Sequence, residues 1–399
     1  MSPLTGIRVL DLSSIIFGPL ASQILASYGA QVIKIEPPEG DSTRNTGPAQ
    51  EKGMAAIFLG ANQSKQSVVL DLKRVEAQAA LHAMIQKADV VMHSMRPQKL
   101  AALQLSPELV TKNHPHVVFA SLLGFLPGPY QGRPAYDDVI QSMSGLADLM
   151  QRQSGEPRYL PTIAADKTCA HVAAHAILAA LLQRTRTGQG CLVEIPMFES
   201  MVNFNLVEHF YGQHFEPSLG GTGYPRVLAA WRRPYRTTDG HVAMMPYTDT
   251  HWIRFFEAVG HAALAQDPRF IHMAARTHNI AALYQLVSEF VALHPTLYWL
   301  ELCDTLEIPA APVRDLDHLI EDPHLVATGF FETLTDEKMG TLRFPGSPVL
   351  FDGQKKAVEI PPRLGEHTLD MLRDAGLDET LIQSLLHSGA AVSNTEVKL

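Results

Sequence analysis

Residues 8–36 read RVLDLSSIIFGPLASQILASYGAQVIKIE, and the spacing of their apolar positions changes twice. The apolar run at 8–12 predicts a strand. Leu20, Ile24, Leu25 and Tyr28 then share one face at helical spacing, with Pro19 suited to a first turn and Gly29 able to end the helix. Residues 32–35 return to a strand pattern, expected to run parallel to the first. The unit recurs as a strand at 67–73, a helix at 76–87 and a strand at 88–94, with a further strand at 116–125. Such alternation predicts an α/β fold whose parallel sheet is covered on both faces. Turn formers crowd 126–134, and an alanine-rich stretch at 167–186 predicts one long helix, closed by Gly188 and Gly190 before a strand at 191–195.

The pattern dissolves into glycine-rich chain at 211–224. Helical segments follow at 250–259, 281–293 and 297–306, then short strands and turns. We therefore expect a large domain over 1–210, completed by 330–399, and a smaller α+β domain over 225–325. Composition changes this picture little. At 399 residues there is room for two domains, and 46% hydrophobic with 18% charged residues is ordinary for a globular enzyme. No apolar run approaches the roughly 18 residues of a membrane span, and the start lacks the layout of a signal peptide, so a cytoplasmic protein without a membrane partner is expected. A net charge of −9 without a basic block argues against nucleic acid as a partner. Cys169, Cys191 and Cys303 are scattered and are expected to be buried, reduced thiols.

The strand–helix–strand opening, ending on Glu36, has the layout of a dinucleotide-binding unit in which such an acid holds a ribose. Yet residues 13–19 read SSIIFGP where the glycine triplet should stand, so the turn is not built for NAD. His171 and His175 lie four apart, a spacing able to place two imidazoles on one metal, but no third ligand accompanies them; helix packing is expected and no metal. GGTGYP at 220–225 does not run from strand to helix, and no serine-hydrolase elbow or Walker loop is found. Asp166 opens the long helix, where amides and the dipole favour an ionised carboxylate. It could be a cap, a nucleophile or a general base, and position alone does not choose.

Eight stretches in register closely resemble the class III CoA-transferases, the family containing formyl-CoA transferase and carnitine CoA-transferase. They begin with PLTGIRVLDLSSIIFGPLASQILASYGAQVIKIEPPEGDSTR and include NQSKQSVVLDLK, ADVVMHSMRP, GRPAYDDVIQSMSG and AADKTCAHVAAHAILAALLQRTRTGQG. PYRTTDGHVAM, IPAAPV and LGEHTLDML complete the set. The resemblance implies a Rossmann-like large domain, an interlocked homodimer and no permanently bound cofactor, with an acyl-CoA thioester and a carboxylic acid as substrates. It places Asp166 on the family's catalytic aspartate, which attacks the donor thioester and passes through an aspartyl-CoA thioester. It implies coenzyme A contacts at Ile16, Phe17, Leu70, Asp71, Leu72, Lys73, Ser94, Met95, Arg96, Arg133, Pro134, Ala135 and Tyr136, with Lys73 and Arg96 meeting phosphates. Tyr136 and Asp137 would line the acyl pocket, and the amides of Gly220, Gly221 and Gly223 would cover the intermediates.

Departures from the family pattern bear on the substrate. Pro37 and Ala102 stand at frequent arginine positions, Ser94 replaces an asparagine, and Ile16 and Phe17 replace a glutamine and an alanine. These turn the expectation away from formyl or oxalyl groups and call for Lys99 or Arg44 to restore positive charge. Arg232, Arg233 and Arg236 in WRRPYR suggest a second carboxylate, as in a dicarboxylate such as succinate. Two alternatives remain: a 2-methylacyl-CoA racemase, whose GHD histidine is here Tyr136 of AYD, and a CoA-binding protein without turnover.

Overall fold

The computed structural model describes residues 2–394. Six strands run parallel: β1 (Arg8–Leu12), β2 (Gln31–Glu36), β3 (Lys65–Leu70), β4 (Val90–His93), β5 (Val118–Leu123) and β6 (Leu192–Pro196). Their order is β3-β2-β1-β4-β5-β6, and a short antiparallel strand, β12 (Ala391–Val392), extends the β3 edge. Every residue of β4 and all but one of β5 are buried, as expected where helices cover both faces. On one face Leu10, Ile33, Val91 and Phe119 form a core with Leu81 and Ile85 of the helix Val75–Gln86. Leu372 and Ile382, from the C-terminal helices Thr368–Asp374 and Glu379–His387, join the same core.

The helices Phe17–Ser27 and Ala164–Thr187 pack together. The buried positions of the first are Phe17, Gly18, Pro19, Ala21, Ser22, Leu25 and Ala26; of the expected face Leu25 is buried, whereas Leu20, Ile24 and Tyr28 are half-buried. Gly18, Ala21 and Ala26 are small buried residues of a kind that permits close helix approach. The long helix starts at Ala164, three residues before the predicted boundary, and ends where Gly188 adopts φ 69° and its N–H donates to the Arg184 carbonyl.

Polar residues inside the sheet satisfy one another. Lys65 Nζ lies 3.3 Å from Asp11, and Lys34 Nζ lies 2.9 Å from Asp41. Arg44 pairs with Glu36 at 2.7 Å, and the Ser67 hydroxyl donates to the same carboxylate. Burial opposes ionisation of Asp11, Glu36 and Asp41, but these cations and hydroxyls hold all three carboxyls below their ordinary values. Glu36, the acid that suggested a ribose partner, is thereby occupied within the fold.

The chain divides into two compact units. One comprises Met1–Ser144, Leu160–Val202 and Pro323–Leu399, the other Gly145–Tyr159 and Asn203–Asp322. The first also carries an antiparallel pair, β10 (Phe331–Asp336) and β11 (Gly340–Pro345). The second holds an antiparallel sheet of β7 (Tyr235–Arg236), β8 (His241–Met244) and β9 (Ala310–Pro312) over a core including Trp252, Phe255, Phe256 and Trp299. The helix Leu146–Ser154 and residues 203–224 thus fall in the second unit, a division that differs from the expected boundaries. Among the described residues no single helix is long and apolar enough to cross a membrane.

Candidate active site

The strand order reverses at β1, between β2 and β4, and sheets of this kind bind ligands at the carboxyl ends of the strands beside such a reversal. A cavity of about 240 Å³ opens there. It is lined by Ser14–Phe17 after β1, Ser94 and Arg96 after β4, Leu122–Gly124 at the end of β5, residues 133–136, Asp166 and Met197. A second cavity of about 260 Å³ adjoins it through Ser94, Arg96, Leu122–Gly124 and Arg133, and continues past Met95, Phe125 and Gly132.

Each wall has a physical support. Ile15 adopts φ 71°, a costly conformation for a β-branched residue. Its N–H donates to Asp41 Oδ2 at 3.2 Å, while the preceding Ser13 donates to Asp11 and accepts from Lys34 Nζ at 2.9 Å. The buried ion pairs therefore clamp the loop that presents Ile16 and Phe17. At the end of β4, His93 Nδ1 accepts the Met95 N–H at 3.2 Å, which leaves the ring proton on Nε2 for Ser121 Oγ at 2.9 Å. Burial pushes the pKa of His93 down to about 4, so this brace is neutral at pH 7. Gly124 closes the third wall: a Cβ there would stand 2.5 Å from Ala135 Cβ.

Asp166 is the third residue of the helix Ala164–Thr187, half-buried and facing the cavity. Its carboxylate accepts no hydrogen bond from the described residues. The expectation that the helix amides favour its ionised form is overturned. The N–H groups of Ala165 and Asp166 donate instead to Asp137 Oδ1, at 2.7 and 3.0 Å. Burial, with the charge of Asp137, pushes the Asp166 carboxyl up to about 6. Asp137, expected to line the acyl pocket, is buried behind the helix start and outside the lining of both cavities. Gln141 donates to Asp137 Oδ2 at 2.6 Å and accepts the Leu160 N–H at 3.0 Å. Cys169, one turn on, is buried; burial and the two carboxylates push its thiol up to about 12, leaving it inert at neutral pH.

Ile16, Phe17, Ser94, Arg96, Arg133, Pro134, Ala135 and Tyr136 thus share a cavity with Asp166, and Met95 lines the adjoining one. Tyr136 is exposed. Leu70 is sealed in the core, so its side chain is withdrawn from ligand; Asp71, Leu72 and the exposed Lys73 follow β3 outside both cavities. Arg44 is withdrawn too, buried on Glu36 and stacked 3.8 Å over Phe58, so it supplies no charge to a ligand. His171 and His175 are exposed rather than packed, and among the described residues no group of three or more His, Cys, Asp or Glu side chains could hold a metal. Gly220, Gly221 and Gly223 lie in the second unit, in a loop that folds on itself: Leu219 N–H donates to the Gly212 carbonyl and Gln213 Nε2 to that of Gly220. Arg232 and Arg233 line an apolar cavity of about 490 Å³ in that unit with Tyr235, Met244 and Tyr284; Arg236 does not. His93, Gln141 and the Lys34–Asp41 pair went unread in the sequence. Only the four-residue spacing of Asp137 and Gln141 offered a signal.

The family model described as CoA-transferase family III matches residues 4–368. The succinate–glutarate CoA-transferase of Agrobacterium fabrum is 31% identical, over 93% of this chain and 95% of its own. The acetyl-CoA:oxalate CoA-transferase of Acetobacter aceti is 30% identical, over 91% and 93%. The crystal structure of a CaiB/BaiF family protein from Brucella suis is similar with a TM-score of 0.77 at 28% identity, covering 94% of this chain and 99% of that one.

Proposed function

The chain belongs to CoA-transferase family III and is a CoA-transferase, and we propose that it exchanges CoA between dicarboxylic acids with Asp166 as the nucleophile. The observation that carries this is an unbonded carboxylate sharing a cavity with Arg96 and Arg133 at the reversal of the sheet. The relatives' names, which cite succinate, glutarate and oxalate, support dicarboxylates as donor and acceptor. The strand order supports a Rossmann-like reading of the first unit.

In this reading an Asp166 oxygen attacks the thioester carbonyl of the donor. The C–S bond breaks, giving a mixed anhydride and CoA thiolate. The thiolate then attacks the Asp166 carbonyl carbon, releasing the donor acid as its carboxylate and leaving an aspartyl-CoA thioester. The acceptor carboxylate attacks that thioester, and the thiolate it expels takes the acceptor acyl group, restoring Asp166. Arg96 and Arg133 offset the negative charge of the entering CoA thioester. The amides of Gly220 and Gly223 are spent within their own loop, on Ser218 Oγ and the His209 carbonyl, so no oxyanion role is given to them. We further read the working form as an interlocked homodimer, supported by the motif resemblance.

The test is mass spectrometry of the CoA pool after incubation in D₂O with succinyl-CoA, a 2-methylacyl-CoA, and mono- and dicarboxylic acids. New dicarboxylate thioesters are expected with the native chain, and a loss of about 10³-fold or more with Asp166→Asn. Deuterium entering the branched thioester with no new species would replace this reading by racemisation.

A further inference from the structure

We infer that Asp137 is the positioning residue of the nucleophile: it caps the helix Ala164–Thr187 from another segment, so that the Asp166 carboxylate stands free beside a second negative charge. The inference rests on Asp166 being the attacking group.

A helix start leaves its first N–H groups without internal partners, and a side chain at the cap position usually accepts one from the second or third residue. Here the cap position is held by Ile163, which cannot accept. Asp137 supplies the missing acceptor across 28 residues, taking the amides of Ala165 and Asp166, the second and third residues of the helix. A carboxylate at the third position otherwise folds back towards the amides of its own helix start. With those amides taken, the Asp166 carboxylate remains directed to the cavity. Gln141 fixes the arrangement, because it holds Asp137 with one end and accepts the Leu160 N–H with the other, and also donates to the Thr162 carbonyl at 3.3 Å. The chain entering the helix is thereby locked to the helix Asp137–Met143.

The charge matters as well as the geometry. Asp137 is itself stabilised by two amides and the positive end of a 24-residue helix. Asp166 meets burial and the Asp137 charge without such donors, and its carboxyl is held near 6. The other titratable groups around it are Cys169 on its own helix, and Arg96, Arg133 and Tyr136 on the cavity walls; Lys167 is turned to Thr162 Oγ1. A more basic carboxylate is the stronger nucleophile, and at neutral pH it is still largely ionised.

Asp137→Asn tests this, since it keeps an oxygen for both amides and removes the charge. We expect the acid limb of kcat/KM, near pH 6 in the native chain, to move down by about one pH unit. We expect kcat on the plateau to fall about tenfold while KM for the acyl-CoA stays within about twofold. An unmoved limb with an unchanged plateau would overturn the inference, as would a raised KM at native kcat, the mark of a substrate contact. If Asp137→Asn fails to fold, the same profile is read on Asp137→Ser. Asp166→Asn is run alongside: if it retains transfer, the nucleophile assignment fails, whereas its inactivity with an unmoved Asp137→Asn profile sinks only the role of Asp137.

Discussion

Asp166 and Asp137 are separated in the chain by residues that carry no hint of their pairing, yet their division of labour follows from elementary electrostatics. One carboxylate takes the helix amides, and the other bears the repulsion. Burial of the Asp166 carboxyl, the larger cause, and that repulsion together have a thermodynamic consequence. The Asp166 carboxyl titrates near 6 in the folded chain against an ordinary 3.8, so between those values the native state holds a proton that the unfolded state has released. Stability therefore falls as pH rises through about 4 to 6, and the penalty persists above that window. Asp166→Asn should abolish transfer and yet stabilise the fold at pH 7.5, by at most about 3 kcal/mol for a shift of two pH units and by less for a half-exposed side chain. Urea unfolding of both forms should show a gap at pH 7.5 that closes towards pH 4. An equal gap at both pH values would contradict the electrostatic account. The sequence located Asp166 through its place at a helix start and through the family motif. It misjudged the sign of the effect, because Asp137 reaches the same amides only after folding.

At the scale of elements, the carboxyl ends of β1, β4 and β5 set the walls of the candidate site, and each is restrained by a different device. A strained Ile15 turn is clamped by buried ions, a neutral His93 bridges β4 and β5, and Gly124 admits close passage of Ala135. The strands were legible because fully buried parallel strands are written as continuous apolar runs. The restraints were not, since Lys34, Asp41 and Ser121 are unremarkable alone and acquire meaning only through strand register. Gly124 gives the sharpest test. A methyl group at this position would meet Ala135 Cβ and push residues 133–136, which carry Arg133 and Tyr136, away from β5. Gly124→Ala is expected to lower kcat/KM by about 10- to 100-fold, the cost of misplacing binding groups by an ångström or so. Gly128→Ala, in the same loop but in nearly open space, should leave it unchanged. Equal effects of the two substitutions would remove the steric argument.

For the molecule as a whole, the return of the C-terminal stretch to the first unit was readable, and the structure gives it a cause: Leu372, Ile382 and Leu385 complete the core beneath β3, and β12 pairs with that strand. The helix Leu146–Ser154 was not predicted, and its amphipathic pattern alone does not say which core receives it. The second unit carries its own chemistry in Arg232 and Arg233, exposed guanidinium groups without an ion-pair partner among the described residues, beside an otherwise apolar cavity. A largely apolar wall makes such a charge a selective partner for a carboxylate, since little else beside it carries negative charge. If these arginines take the second carboxylate of a dicarboxylic acid, Arg232→Ala and Arg233→Ala together should raise KM for succinate by about tenfold or more, the worth of one charge-assisted contact. The same pair should leave kcat/KM for a monocarboxylate such as acetate unaltered. Steady-state kinetics with both acids and a monocarboxylic donor such as propionyl-CoA separates the outcomes. A parallel loss for the two acids would mean that the arginines serve the fold or the CoA thioester, and unchanged succinate kinetics would end their role in selecting the acid.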